Sequence, residues 1–334
     1  MSLRRIAQDL YYGGLHNLQK SLHPNPQHIF DPQFERVLDV ACGQSGPQPL
    51  RVWIERHGKS AGNVNFDDPE EAKRGKEKLE KYGDPGLPLT ELGLQQVQVS
   101  AHYLTQKLNQ EVLTLCGNDP ELARAYKKHM PPILIAHSPY RRARHTAHEM
   151  YQSLRASGFE VAHKEILSLA EQTFGIWDGI SEKEYAKIDP HAHHAWQILM
   201  NSDNKFYAQN AHGESAYGVT RRQRNDSLPT IFRAVLEHGY GNVIIPCHGT
   251  TGRALDMALT GGTAERWLTM DNPPNGGIIL VEQVWPKDAD WKTGRASKFK
   301  FQSRGLVFDP NESIAKEMFK KPALDARLPE LLFG

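Results

Sequence analysis

Cysteine is almost missing from this chain of 334 residues, which has only Cys42, Cys116 and Cys247. Three thiols so far apart exclude a disulfide framework or a cysteine zinc site and point to a reducing, cytoplasmic setting. Long apolar runs are missing too. None approaches the ~18 residues of a membrane span, and Arg4 and Arg5 are not followed by the apolar stretch of an export signal, so a soluble, unexported protein is expected. The formal net charge of +1 leaves no global attraction to nucleic acid or anionic membrane, and the cluster Arg221, Arg222, Gln223, Arg224 reads as a solvated face. There is no internal repeat and no low-complexity tract. Oligomeric state is not legible.

With 39% hydrophobic and 24% charged residues, the composition is that of a globular protein able to bury a core. Four short apolar runs stand out: Val52 to Ile54, Ile133 to Ala136, Val243 to Cys247 and Ile278 to Val281. They are rich in Ile and Val and lack polar alternation, the pattern of parallel strands covered on both faces. Helical patterns lie between them. Thr90 is placed to cap a helix with an apolar stripe of Leu94, Val97, Ala101, Leu104 and Leu108. Ser138 and Pro139 form an N-cap and first-turn pair for a helix carrying Ala143, Ala147, Met150 and Leu154 and ending near Gly158. Strands alternating with amphipathic helices predict a doubly wound, three-layer α/β/α sandwich on a mostly parallel sheet.

The expected domain spans residues 51–303, with wall or lid insertions at about 64–88 and 176–212. Residues 1–50, with five prolines from Pro24 to Pro49, read as an extension laid on it, and 304–334 as a tail with a short helix around Glu312 to Lys320. The extension contains a decoy. Val37 to Gly46 resembles the glycine-rich loop of methyltransferases that bind S-adenosylmethionine, but Pro47-Gln48-Pro49 comes next, where such a turn would open a helix.

Chemistry collects at the ends of the apolar runs. Arg56-His57-Gly58 follows the first, placing a cation and an imidazole where open α/β sheets bind ligands. Ser138 to Ala147, with Arg141, Arg142 and Arg144, follows the second at a helix N-terminus, a combination that favours phosphate. His248-Gly249-Thr250 follows the third, with Thr250 placed to cap the next helix to about Leu259. Each signal alone has an ordinary structural explanation; three on one sheet edge do not.

Jointly, residues 51 to 283 resemble the histidine phosphatase superfamily, the phosphoglycerate-mutase-like fold. In that family an Arg-His-Gly carries the nucleophilic histidine, which Arg56, His57 and Gly58 match, with Ser60 and Asn63 fitting the positions after it. The family's Ser-Pro-x-x-Arg-Ala-x-x-Thr-Ala matches Ser138 to Ala147 and selects Arg142 as the second phosphate-binding arginine, a choice that spacing alone left open. Leu169 to Gly179 resembles the acid-bearing loop, giving Glu171 the proton-donor role. His248 corresponds to the second pocket histidine with Gly249 beside it, and Glu214, Arg222 and Pro274-Asn275-Gly276 complete the likeness.

The resemblance implies a phosphomonoesterase acting on a small phosphorylated substrate through a phosphohistidine on His57, with Arg56, Arg142, Asn63 and Gly249 on the phosphate and no cofactor. Imidazole is a competent nucleophile at neutral pH, and arginine forks match phosphoryl oxygens. Two departures matter. Lys59 stands where members commonly have Glu or Gln, placing it with Ser60 at the pocket mouth and favouring a polyanionic substrate. Gln172-Thr173-Phe174 replaces the Arg-His-Tyr of cofactor-dependent mutases, favouring hydrolysis over phosphoglycerate mutase activity. A non-catalytic phospho-ligand scaffold is the reading from another class. His191, His193 and His194 lack recognisable metal-ligand spacing, and no metal is expected.

Overall fold

The computed structural model describes residues 50–63, 68–284 and 300–315. Residues 1–49, including the methyltransferase-like loop, and those beyond 315 lie outside the described residues, so the extension and most of the tail do too. In chain order the elements are β1 (Arg51–Arg56), α1 (Pro69–Gly86), α2 (Glu91–Leu115), α3 (Pro120–His129), β2 (Ile133–His137), α4 (Arg141–Ala156), β3 (Val161–Glu165), α5 (Glu182–Ile188), α6 (Pro190–Met200) and α7 (Ala216–Arg222). A π-helical turn, Gln223–Ser227, leads into α8 (Leu228–His238), followed by β4 (Asn242–Cys247), α9 (Gly249–Thr260), α10 (Ala264–Leu268), β5 (Ile278–Val284), β6 (Lys300–Phe308) and α11 (Pro310–Ala315).

The strands form one sheet in the order β3-β2-β4-β1-β5-β6. Pairs β3–β2, β2–β4 and β4–β1 are parallel, whereas β1–β5 and β5–β6 are antiparallel. The Ile278 to Val281 run therefore corrects the expectation of a parallel strand: a strand between layers is apolar on both faces whichever way it runs, so composition carries no direction. The 303 boundary is likewise misplaced. β6 continues to Phe308, pairing with Ile278, and a helix begins at Pro310, two residues ahead of the expected start.

Side chains alternating across β1 divide the core. Val52 and Ile54 join Leu134, Val243 and Ile245 beneath α8 and α9, through Leu228, Ile231, Phe232 and Leu255. Trp53 joins Ile135, Ile244 and Leu280 beneath α2, α3 and α4, through Leu104, Leu108, Leu122, Met150 and Leu154. These are the outer layers of the sandwich, and Leu50, expected in the extension, is buried in the first cluster. The helices after β1 and β2 cover one face and the helix after β4 the other, although β4 lies between those strands. That reversal opens a crevice at the carboxyl ends of β1, β2 and β4.

Thr90 caps α2 as expected, its side chain accepting from the Gly93 amide at 3.0 Å. Two other expected caps are not formed. Helix α4 starts at Arg141 behind Tyr140, and Ser138 Oγ bonds a side chain across the crevice instead. Helix α9 is preceded by His248, leaving Thr250 inside its first turn. Among the described residues no helix is long and apolar enough to cross a membrane.

Candidate active site

Backbone hydrogen bonds level the strand ends that carry the site. The amide of His57 donates to Cys247 O at 2.9 Å and that of Ser138 to Pro246 O at 3.1 Å, so β1, β4 and β2 finish together. His57, Arg142, Ser138 and His248 are all buried there. The rings of His57 and His248 lie edge to face, with centroids 5.1 Å apart.

The protonation pattern of His57 is dictated by its partners. Arg142 Nε approaches His57 Nε2 at 3.2 Å, and since a guanidinium can only donate, Nε2 must present its lone pair. Nδ1 then carries the hydrogen and donates to Gly58 O at 2.7 Å. Burial, Arg142 and Arg56 hold the imidazole well below its ordinary pKa, outweighing the Gly58 bond. A neutral ring with Nε2 facing an arginine is the nucleophile-ready tautomer.

Gly58 is required by space. A Cβ there would lie 2.8 Å from the Gly93 carbonyl carbon and 2.9 Å from Val97 Cγ1, because the loop packs directly on the N-terminus of α2. The contact is stitched by Thr90 N and Oγ1 donating to Lys59 O, at 2.8 and 3.0 Å, and by Lys59 N donating to Gln96 Oε1 at 2.8 Å. Lys59 is half-buried. Ser60 departs from its expected place at the mouth: it is buried, and its hydroxyl donates to Asn63 Oδ1 at 3.1 Å. Asn63 Oδ1 also accepts from the Ser60 amide and from Asn275 Nδ2, which commits this oxygen to shaping the loop.

Arg56 donates through Nη1 to Pro273 O at 2.7 Å, tying the end of β1 to the loop before β5. Asn275 Nδ2 donates to His57 O at 3.1 Å, and Gly276 N bonds Arg56 O at 3.0 Å. Of the three arginines that open α4, the fold brings Arg142 to His57, while Arg144 faces Glu165 at 3.8 Å near the surface. Across the crevice, His248 Nε2 shares a 2.7 Å hydrogen bond with Ser138 Oγ, which fixes its ring plane. Burial and the nearby cations Arg142 and Arg56 press His248 well below the usual imidazole range. Gly249 is the first residue of α9, and a Cβ there would lie 2.9 Å from Asn272 Oδ1.

Glu171 lies at the N-terminus of α9. Its Oε1 accepts from Thr251 N and Thr251 Oγ1, each at 3.2 Å, and from Gln172 N at 2.9 Å. The carboxylate is thus aimed by a helix N-terminus, where negative charge is favourable. Arg222 builds the loop beneath it. It grips Glu214 through Nε and Nη2, at 3.0 and 2.9 Å, and donates to the carbonyls of Ser168, Ala170 and Glu171. The π-turn helps, since Gln223 Nε2 donates to Ser168 O at 2.9 Å.

Three participants were not legible in the sequence. Asp84, from the charge-rich first wall, makes a bidentate ion pair with Arg142 at 2.9 and 3.4 Å. Tyr140 lays its ring 4.8 Å from the Arg142 guanidinium, and Arg253 stacks on Trp267 at 3.9 Å and donates to Met270 O. The turn-forming Gly83-Asp84-Pro85-Gly86 was the available signal for the first; stacking partners leave none. In the second wall, His193 packs among Trp177, Tyr185 and Trp196.

No curated protein sequence matches the chain. Among solved structures it is similar to three mycobacterial proteins, each 20% identical: hydrolase 2 (TM-score 0.51, covering 81% of this chain and 98% of that one), hydrolase 1 (0.50, 78% and 99%) and glucosyl-3-phosphoglycerate phosphatase in its native form (0.50, 77% and 98%). At that identity the likeness concerns the fold. The model of the histidine phosphatase superfamily (branch 1) matches residues 120–285, which carry Arg142, Glu171 and His248, while Arg56-His57-Gly58 lies before the match and is brought in by the pairing of β1 with β4. The chain belongs to the histidine phosphatase superfamily.

Proposed function

We propose that the protein is a phosphomonoesterase that passes a phosphoryl group from an ester to His57 and then to water. The observation that carries this reading is the state of His57: a buried, neutral imidazole whose Nε2 lone pair faces Arg142 Nε at 3.2 Å. In the first step Nε2 attacks phosphorus, the ester P–O bond breaks, and Glu171 gives its proton to the departing alkoxide. In the second, water gives a proton to Glu171, its oxygen attacks phosphorus, and the P–N bond breaks to release orthophosphate and neutral His57. Arg56, Arg142 and His248 stabilise charge on the transferring group, and Gly249 offers it the amide of a helix N-terminus. Asn63 adds its side-chain amide.

Hydrolysis is favoured over a mutase by the two residues after Glu171. Gln172 Nε2 donates to Glu214 O at 2.8 Å and Thr173 N to Glu214 Oε2 at 3.2 Å, so these residues tie the loop to Glu214 and bring no cation for a second phosphate. The test is steady-state turnover of p-nitrophenyl phosphate and of a panel of sugar, glycerate and nucleotide monophosphates, with and without a bisphosphorylated primer. Orthophosphate release independent of primer, abolished by His57→Ala, supports the reading. Primer-dependent exchange between hydroxyls would assign a mutase, and binding with no turnover a scaffold.

A further inference from the structure

Arg142 is the arginine nearest the attacking nitrogen, yet only one end of it faces His57. Its other end is taken by Asp84. Nη1 donates to Asp84 Oδ1 at 2.9 Å, Nη2 to Oδ2 at 3.4 Å, and Nη1 also reaches the Asp84 carbonyl at 2.7 Å. A guanidinium has two bidentate edges, an end-on edge made by the two Nη groups and a side-on edge made by Nε and one Nη. We infer that Asp84 is the positioning residue of the phosphate site, clamping the end-on edge of Arg142 so that the side-on edge is held toward the phosphoryl group on His57. This rests on the phosphatase reading of the site.

The local fold explains how Asp84 can act this way. Gly83, at φ 64° and ψ 161°, breaks α1, and Pro85 lies inside the same stretch, so the carbonyl and carboxylate of Asp84 both reach Arg142. The chain after Asp84 is then sewn to the loop that carries His57. Ala61 N donates to Pro88 O at 3.0 Å, Ser60 bridges Leu89, and Thr90 N donates to Lys59 O at 2.8 Å. Leu87 is buried against Gly62, where a Cβ would lie 2.7 Å from Leu87 Cδ1. Asp84 and His57 therefore belong to one frame, with Arg142 suspended between them from another helix. The pairing also supplies a directly bonded counter-charge to a buried guanidinium beside Arg56.

A double-mutant cycle tests this, with kcat/KM for p-nitrophenyl phosphate measured in wild type, Asp84→Ala, Arg142→Ala and the double variant. Asp84→Ala is expected to lose ~10- to 100-fold, the scale of a misplacement of about 1 Å. In the Arg142→Ala background the same change should alter kcat/KM by less than ~2-fold, because its effect runs through the missing arginine. Asp84→Asn, which keeps size and one acceptor, is expected to fall between, and replaces Ala in the cycle if Asp84→Ala does not fold. Equal losses in both backgrounds would mark Asp84 as merely structural and overturn the inference, as would an unaffected single variant. An active wild type with an additive cycle sinks Asp84 alone; a wild type inert toward every phosphate monoester sinks the phosphatase reading and Asp84 with it.

Discussion

Replacing Gly58 by alanine adds one methyl group where backbone meets backbone. Ordinary carbon contacts lie at ~3.5–4.0 Å, whereas the new Cβ would sit 2.8 Å from the Gly93 carbonyl carbon and 2.9 Å from Val97 Cγ1. The Gly93 carbonyl oxygen is closer still, so relief requires the loop and the first turn of α2 to part by more than roughly 1 Å. Neither yields freely, since Thr90 and Gln96 make three hydrogen bonds to the Lys59 backbone across that seam. Overpacking costs about 1–3 kcal/mol, and losing one of the three bonds adds about 1 kcal/mol, giving a destabilisation of about 2–4 kcal/mol. The shift also moves Gly58 O, which holds the hydrogen on His57 Nδ1. At ~10²-fold per ångström of misplacement, kcat should fall about a hundredfold even where the protein is fully folded. Urea denaturation followed by fluorescence, with kcat measured well below the unfolding midpoint, reads both quantities. A Gly58→Ala variant within ~0.5 kcal/mol of wild type and with unchanged kcat would refute the argument from space.

Ser138→Ala removes the bond that orients His248 and should cost about 1 kcal/mol, about fivefold in kcat/KM, with little change in melting temperature; an unaffected kcat/KM would show that the ring is held otherwise. Glu171→Gln should slow alkyl phosphates far more than p-nitrophenyl phosphate, whose leaving group needs no proton, and equal losses would remove Glu171 from proton transfer. Glu55, wholly buried on β1 with neither carboxylate oxygen bonded among the described residues, is pushed well above the ordinary carboxyl range by burial. A raised carboxyl pKa means the folded state binds the extra proton, so this contribution is full below the unfolded value of ~4.3 and is lost as pH rises toward the folded one. Glu55→Gln should therefore raise the melting temperature at pH 7 and lose that advantage near pH 4; a constant difference across this range would contradict the burial argument. His57 and His248 are shifted the opposite way, so the unfolded chain binds more protons below ~6.5 and they weaken the fold on acidification. Their ring resonances should accordingly not titrate near pH 6.5, and a midpoint there would contradict the argument that burial and the nearby arginines keep both rings neutral.

The core strands were legible because burial on both faces writes an uninterrupted apolar run, as in Ile133 to Ala136 and Val243 to Cys247. Direction was not, since β5 is equally apolar whether it runs with β1 or against it. Of the site, Arg56, His57 and His248 could be placed at strand ends from local pattern, whereas the choice of Arg142 over Arg141 and Arg144 needed the family resemblance. Ser138 misled because a serine before a proline is an ordinary helix start, and nothing local announces that its hydroxyl meets a histidine 110 residues away. Asp84 was silent for the same reason: one carboxylate in a charged segment looks like its neighbours until the chain folds back 58 residues to an arginine.

The role proposed for His57 depends on a covalent step, and rapid acid-free quenching of the enzyme turning over a ³²P-labelled monoester measures that step directly. Label that is base-stable and acid-labile, maps to the peptide containing His57, and is absent in His57→Ala is the predicted result. Steady turnover with label on another residue, or with none on His57 even when Glu171→Gln slows release, would contradict it.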